Sequence, residues 1–145
     1  MIQLMKALGF ETKELEKKKE IIFECFDISH SHGEHTVASK SVLINGKPEP
    51  KKYKKYRIKT LDTGIIDDFT SMEEILTRRT LGAVRREDPW PDLIIIDGGK
   101  GQLSHAVEAI KKASHEKNIL PIISLAKRIE EVFLPEEPEP ILLKK

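Results

Sequence analysis

The sequence predicts an α/β fold built on a mixed β-sheet, with helices packed against the sheet. Its first half holds three consecutive segments with the composition of β-strands, and its second half alternates strand and helix patterns. Strands joined by short turns pair antiparallel, whereas parallel neighbours need a crossover, and the crossovers here have helical spacing. With 145 residues the chain is long enough for one compact domain and too short for two ordinary ones.

The antiparallel part begins with residues 21–29, IIFECFDIS, whose β-branched and aromatic content is typical of a central strand. A second strand is predicted at residues 35–44, and Asn45-Gly46 after it supplies the two positive-φ positions of a tight hairpin. Residues 51–60 alternate apolar side chains with lysines, which predicts a half-exposed third strand. We expect these three strands to form a meander.

The second half predicts helices that connect buried strands. A helix with complementary end charges is expected from Asp67 and Asp68, its candidate N-caps, to Arg78 and Arg79. The remaining predicted elements are, in chain order, a doubly buried strand at residues 93–96, a helix at 103–113, a strand at 122–125 and a hairpin formed by 132–134 and 141–143.

The composition predicts a soluble protein whose domain spans residues 21–145. Hydrophobic residues make up 39% and charged residues 34% of the chain, which excludes a disordered polymer, and no apolar run is long enough for a membrane span. Residues 1–20 end in a charged run and are predicted to be a helical lead-in or linker. One cysteine, Cys25, and no secretory leader indicate a cytoplasmic protein, with Cys25 in the core.

Two aspartates end strands that are otherwise apolar. By strict alternation Asp27 shares a face with Ile21, Phe23 and Cys25, where a carboxylate is costly unless something compensates it. Asp97 follows an apolar run at the carboxyl edge of a predicted parallel strand, where open α/β sheets place their ligands. If the two strands are neighbours, both carboxylates meet at one pole of the sheet, and a divalent cation would relieve their repulsion.

The predicted ligand of this pair is a magnesium or manganese ion. Oxygen ligands without an accompanying Cys or His cluster favour Mg²⁺ or Mn²⁺ over Zn²⁺. For Asp27 taken alone, the competing interpretation is a hydrogen-bonded carboxylate that caps the following loop. A transition-metal site at His30, His32 and His35 is the weaker alternative, because they lie in and beside a loop without a second Cys/His cluster.

The segment DGGKGQ, which starts at Asp97, combines glycines, a lysine and a helix start, as phosphate-binding loops do. It does not have the Walker spacing, and Gly101 stands where that motif has Ser or Thr, so nucleotide hydrolysis of that type is not expected. The glycines and the helix N-terminus, with Lys100 and Gln102, are instead predicted to approach a DNA phosphate. A tight strand–helix turn explains part of the same pattern.

Overall net charge is +1, so only a local concentration of basic residues could indicate a polyanionic partner. The basic residues form three groups, namely residues 51–59, Arg78-Arg79 with Arg85-Arg86, and Lys127-Arg128. Arg78, Arg79, Lys127 and Arg128 are predicted to contact DNA phosphates, and such contacts would position DNA without reading bases. A solvated surface is the alternative for each group.

Four ordered blocks of the sequence resemble the signature segments of a nuclease family. The blocks are FECFDISHSHGEHTVAS, DDFTSMEEILTRR, WPDLIIIDGGKGQL and ISLAKR, and they are similar to the UvrC C-terminal endonuclease domain. This resemblance implies an RNase H-like fold and an endonuclease of nucleotide excision repair that cuts damaged DNA on the 5′ side of a lesion, with UvrA and UvrB as partners. The family's two catalytic aspartates fall on Asp27 and Asp97. Its helix-block aspartates fall on Asp67 and Asp68, which either support metal binding or cap the helix.

The resemblance also predicts that the chain is a fragment. The family uses a histidine in a block after the terminal hairpin, and the sequence stops at Lys145 before such a block. The helix–hairpin–helix module, the GIY-YIG domain that cuts on the 3′ side and the UvrB-binding segment do not occur in it either, so we expect the isolated chain to be catalytically incomplete. A noncatalytic DNA-binding or assembly module and an actin-like ATPase are the rival functions.

Overall fold

The computed structural model describes residues 2–31, 35–58, 68–115, 121–126, 131–135 and 141–142. Within them, eight strands form one mixed sheet, and two long helices pack on one of its faces. The strands are β1 (Ile22–Ser31), β2 (His35–Ile44), β3 (Lys47–Pro48), β4 (Lys54–Arg57), β5 (Leu93–Asp97), β6 (Ile122–Ala126), β7 (Glu131–Phe133) and β8 (Ile141–Leu142). The helices are α1 (Ile2–Ala7), α2 (Asp68–Val84) and α3 (Lys100–Ser114), with short 3₁₀ helices at Leu15–Lys17 and Pro50–Lys52.

The strand order across the sheet is β3-β2-β1-β5-β6-β7-β8, and β4 also pairs with β2. β1 and β2 are antiparallel, whereas β1, β5 and β6 run parallel to one another. The parallel connection from β5 to β6 contains α3, as the crossover rule requires. The predicted α/β class with a mixed sheet is confirmed, and so is the terminal hairpin of β7 and β8.

The predicted meander is interrupted after its second strand. Asn45 (φ 51°) and Gly46 (φ 82°) form the expected tight turn, but the returning strand β3 has two residues. Pro48 has no amide hydrogen to donate to a ladder, and the 3₁₀ helix Pro50–Lys52 then redirects the chain. The third strand, β4, is therefore shorter than predicted and pairs with the other half of β2.

α2 extends beyond the end that the charged pair Arg78-Arg79 indicated. It continues to Val84, and the chain leaves the helix near Arg86, which has a left-handed φ of 60°. Arg79 and Thr80 are buried in the middle of the helix, so the basic pair is not an end signal here. Asp68 is the first helical residue, whereas Asp67 lies outside the described residues.

Two hydrophobic cores lie on opposite faces of the sheet. The first joins the sheet to α2 and α3 and includes Phe26, Ile94 and Ile96. The second contains Met5, Leu8, Leu15, Ile21, Phe23, Leu93, Ile123 and Val132. The lead-in thus supplies three of these buried apolar side chains, Met5, Leu8 and Leu15, and its helix α1 packs against the sheet.

Candidate active site

The sheet register places Asp27 and Asp97 side by side. β1 and β5 are parallel neighbours in which Phe26 pairs with Ile96, so the next residues along the two strands are the two aspartates. Neighbouring strands lie about 4.8 Å apart, which sets the expected separation of the two Cα atoms. The structure therefore brings together the two residues that the sequence singled out.

The register of β1 and β5 is fixed at the other end of the strands by Asp92. The Asp92 amide donates to the Ile22 carbonyl oxygen at 2.8 Å, and the Ile22 amide donates to Asp92 Oδ2 at 2.8 Å. Lys18 Nζ donates to Asp92 Oδ1 at 2.5 Å, which ties the lead-in to the same carboxylate. A slip of one residue would move Asp27 to the other face, so this pairing preserves the aspartate pair.

The two aspartates line one cavity of about 350 Å³ on the face opposite α2 and α3. Asp27 is exposed and Asp97 is half-buried. The remaining lining residues are Cys25, Phe26, Ser39, Ser41, Ile95 and Leu125. The cavity thus combines two carboxylates with two hydroxyl groups from β2, and no sequence pattern distinguishes these serines, because only the register of β2 brings them beside the aspartates.

Cys25 is half-buried in the wall of this cavity, which corrects its assignment to the core. Burial raises the pKa of the Cys25 thiol, a hydrogen bond with Ser41 opposes that rise, and the negative charges of Asp97 and Glu24 add to it. A raised pKa keeps the thiol protonated at neutral pH, and metals bind the thiolate. The cavity therefore presents oxygen ligands in preference to sulfur.

No cluster of three or more His, Cys, Asp or Glu side chains able to hold a metal occurs among the described residues. The aspartate pair therefore stands as a two-carboxylate site in this part of the chain. His32 lies outside the described residues, and His30 and His35 belong to β1 and β2. The histidine alternative stays a prediction.

The glycine turn after Asp97 is closed by internal hydrogen bonds. The Gly98 amide donates to the Leu125 carbonyl oxygen at 3.2 Å, and the Gly99 amide donates to Gln102 Oε1 at 3.0 Å. A Cβ atom on Gly98 would lie 2.9 Å from Gln102 Cδ, so this glycine is needed for the close approach. Gln102 thus caps α3, and these two amides are not available to a phosphate, whereas Lys100 is exposed at the helix start.

Arg79 is an internal residue, which corrects the prediction that it contacts DNA. Its side chain is 1% exposed and forms a bidentate pair with Glu24, with Nε to Oε1 at 2.7 Å and Nη2 to Oε2 at 3.0 Å. It also donates to the carbonyl oxygens of Asp88 and Pro89. Burial alone would lower the pKa of Arg79, but the hydrogen bonds and charge of Glu24 raise it. A DNA phosphate cannot reach this guanidinium.

Arg78 is the accessible member of the predicted basic pair. Its side chain is 36% exposed, donates to the Arg57 carbonyl oxygen at 2.9 Å and pairs with Glu74 at 3.3 Å. Its guanidinium carbon lies 5.2 Å from the centre of the Tyr56 ring. Lys127 and Arg128 lie outside the described residues, directly after β6.

A second cluster at the start of α2 and α3 was not foreseen. Phe69 is 41% exposed and stacks on the His105 ring at 4.9 Å between centroids, and the same histidine contacts Glu73. Gly101 makes room for this ring, since a Cβ atom there would lie 2.7 Å from Phe69 Cε1. Phe69 recurs at helical spacing with the buried residues Met72, Ile75 and Leu76, yet its ring is exposed, and no sequence signal pairs it with a histidine on another helix.

Within the described ranges, no helix is both long enough and apolar enough to cross a lipid bilayer.

Comparison with known proteins identifies relatives by sequence and by fold. The chain is 44% identical over 119 residues to the UvrABC system protein C of Salinibacter ruber, with 82% of this chain and 19% of that protein covered. It is 43% identical over 141 residues to the UvrABC system protein C of Methanococcus maripaludis, with 97% and 26% covered. The chain thus spans about a fifth to a quarter of the length of these relatives.

A solved structure confirms the predicted RNase H-like fold. Endonuclease V of Ciona intestinalis, in complex with a 24mer DNA containing an inosine followed by a ribo-adenosine, superposes with a TM-score of 0.50 at 20% identity, covering 88% of this chain and 52% of that one. At this identity the likeness concerns the fold alone. The sequence profile described as the UvrC RNAse H endonuclease domain matches residues 11–145, nearly the whole chain, and the chain therefore belongs to this family.

Proposed function

We propose that this chain is the nuclease module of a nucleotide excision repair endonuclease and that it hydrolyses a DNA phosphodiester bond on the 5′ side of a lesion. The observation that carries this proposal is the cavity shared by Asp27 and Asp97, in a chain of the UvrC RNAse H endonuclease domain family. The relatives are named as proteins of the UvrABC system. In the full-length protein, damaged DNA and UvrB, in a complex loaded by UvrA, are the proposed partners.

The donor set of the cavity fits Mg²⁺ or Mn²⁺. Two carboxylates and two serine hydroxyls line it, and the Cys25 thiol has a raised pKa that disfavours its thiolate form. Hard divalent cations prefer such oxygen ligands. A cation held there would polarise the scissile phosphate and lower the pKa of the attacking water.

Different residues of the chain would bind the cation and orient the DNA phosphates. Asp27 and Asp97 would hold the cation, and the locked register of their strands keeps the two carboxylates side by side. Ser39 and Ser41 line the same cavity from β2, and their hydroxyl groups would donate to the phosphate oxygens. Lys100, exposed at the start of α3, is placed to contact a further phosphate.

Four other predicted DNA contacts differ in the support they have. Arg78 is partly exposed, but it lies over Tyr56 on the face of α2 and α3, opposite the aspartate pair, so its position does not support a contact with the strand that is cut. Lys127 and Arg128 follow β6, whose Leu125 pairs with Asp97 and lines the same cavity, which supports their proposed place at this pole. Arg79 is excluded from the proposed contacts by its burial.

The test uses the full-length protein with UvrA, UvrB and a duplex that carries a single lesion. Asp27→Asn and Asp97→Asn should each reduce the 5′ incision rate by roughly 10²-fold or more, because they remove charge from the site that stabilises the transition state. Glu108→Gln, a change of an exposed carboxylate on α3, should leave this rate unchanged. Survival of the 5′ incision in both aspartate variants would favour the noncatalytic DNA-binding or assembly module.

A further inference from the structure

β4 carries exposed lysines on both faces of the sheet, and one of these faces holds the aspartate pair. Lys54 and Lys55 are consecutive residues of this strand, and both are exposed. Tyr56 is buried in the core beneath α2 and α3, and Lys54 Nζ lies 4.8 Å from the centre of its ring. Because side chains alternate along a strand, Lys55 belongs to the opposite face.

The strand register places Lys55 in line with the two aspartates. Lys55 pairs with Ser39 on β2, and Ser39 pairs with Asp27 on β1. Directly paired residues share a face of the sheet, and Asp27 neighbours Asp97, so these four residues form a row across β4, β2, β1 and β5. At about 4.8 Å per strand, the Cα atom of Lys55 lies roughly 10 Å from that of Asp27.

The chemistry along this row changes from anionic to cationic. Asp27 and Asp97 lie at one end, the hydroxyl of Ser39 follows, and Lys55 stands at the edge. Arg57 is exposed on the same face, two residues further along β4. In the proposed reaction the phosphodiester is cut at the aspartate pair, and a neighbouring phosphate meets a positive side chain; Asp27, Ser39 and Lys55 lie in that order along the row.

Edge-strand lysines also have a structural explanation. They discourage pairing between the exposed edges of two sheets. Lys54 and Lys55 would serve that purpose equally, because they are adjacent and both are exposed on the same strand. Lys54 is therefore a matched control, since it has the same charge and edge position on the opposite face.

We propose that the DNA strand to be cut crosses the sheet at right angles to the strands, from the aspartate pair over Ser39 to β4, and that Lys55 binds one of its phosphates. This inference rests on the proposed function and adds the path of the DNA and the residue that anchors it. Lys55 acts as a positioning residue, because the row places it about two strand spacings away from the aspartates, ~10 Å.

The first experiment measures binding of a labelled DNA duplex by this chain over a range of NaCl concentrations. Lys55→Ala should lower the slope of log affinity against log salt by about 0.9, the value of one phosphate contact on duplex DNA. Lys54→Ala should have the same slope as the unaltered chain. Lys55→Arg should also have this slope, because the substitution keeps the positive charge. Equal slopes for the two alanine variants would overturn the proposed path.

A second experiment separates this inference from the proposed function. In the full-length protein, Lys55→Ala should raise KM for the 5′ incision and leave kcat unchanged, as the loss of ground-state binding does. Loss of incision in Asp27→Asn together with unchanged KM and salt slope in Lys55→Ala would show that the path is wrong while the nuclease assignment stands. Unchanged incision in Asp27→Asn would overturn both.

Discussion

The ion pair between Arg79 and Glu24 should stabilise the fold and contribute nothing to DNA binding. The change to make is Arg79→Ala, which leaves the Glu24 carboxylate, 5% exposed, beside Lys40 Nζ at 4.0 Å. The carbonyl oxygens of Asp88 and Pro89 lose their guanidinium donor as well. Breaking a buried pair by removing one partner costs about 3–5 kcal/mol, and we expect the free energy of unfolding to fall by that amount.

The double variant Glu24→Leu/Arg79→Leu separates the charge from the packing. When both partners are replaced by apolar residues, the buried Lys40 keeps Asp88, 3.4 Å away, as its partner, so the loss should be much smaller than the sum of the two single losses. Arg79→Lys should lie between wild type and Arg79→Ala, because an ammonium keeps the charge without the bidentate geometry.

Urea unfolding followed by Trp90 fluorescence and by circular dichroism provides the measurement. Trp90 is the single tryptophan, and its ring lies 5.2 Å from the Arg79 guanidinium, so circular dichroism serves as the independent probe. A loss below about 1 kcal/mol, typical of a surface ion pair, would refute the reasoning. A reduced salt slope of DNA binding in a folded Arg79→Ala protein would also refute the reasoning, because it would show that Arg79 contacts a DNA phosphate.

The Cys25 thiol should react slowly with iodoacetamide at neutral pH, because burial raises its pKa and the thiolate is the nucleophile. Its alkylation rate should rise at higher pH than that of a free cysteine peptide, and coincident pH profiles would contradict the burial. Met5→Ala should lower the free energy of unfolding by about 2–5 kcal/mol, since Met5 is fully buried against the sheet. Urea titration checks this, and a change within ~0.5 kcal/mol, as for a surface position, would favour the linker interpretation of the lead-in.

The aspartate pair could be predicted because it depends on local pattern and on one topological rule. Alternation in residues 21–29 gave the face of Asp27, and a continuous apolar run gave the buried parallel strand that ends at Asp97. The prediction that Asp27 ends its strand was wrong, because β1 continues to Ser31, and it is the parallel register of β1 and β5 that sets Asp27 beside Asp97. The described bounds of β2 are those that the sequence predicted.

Contacts between distant segments could not be predicted from periodicity. Arg79 and Glu24 are 55 positions apart, and nothing in either segment shows that the two side chains meet inside the domain. Without knowledge of that pairing, the sequence pattern Arg78-Arg79 predicts a helix end and a DNA contact. The burial of Met5 also depends on a contact between distant segments. α1 has only six residues, so packing against the sheet stabilises it more than its intrinsic helix propensity does.

The lysines of β4 illustrate how much depends on register. In the sequence they belong to one basic group, residues 51–59, and the pattern does not show which of them lies near the aspartates. The pairing of Ser39 with both Lys55 and Asp27 separates Lys55 from Lys54, because it fixes which side chain shares the face of the aspartates. This distinction requires the pairing of β2 with β1 and with β4 to be known.

Titration of Mn²⁺ into this chain by calorimetry tests the shared aspartate site most directly. Wild type should bind the ion, and Asp27→Asn and Asp97→Asn should each weaken binding by about 10-fold or more, since even outer partners of metal ligands are worth 10–100-fold. Glu108→Gln is the control and should bind as wild type does, with circular dichroism showing that every variant is folded. Equal Mn²⁺ affinity in wild type and both aspartate variants would contradict a cation held between Asp27 and Asp97.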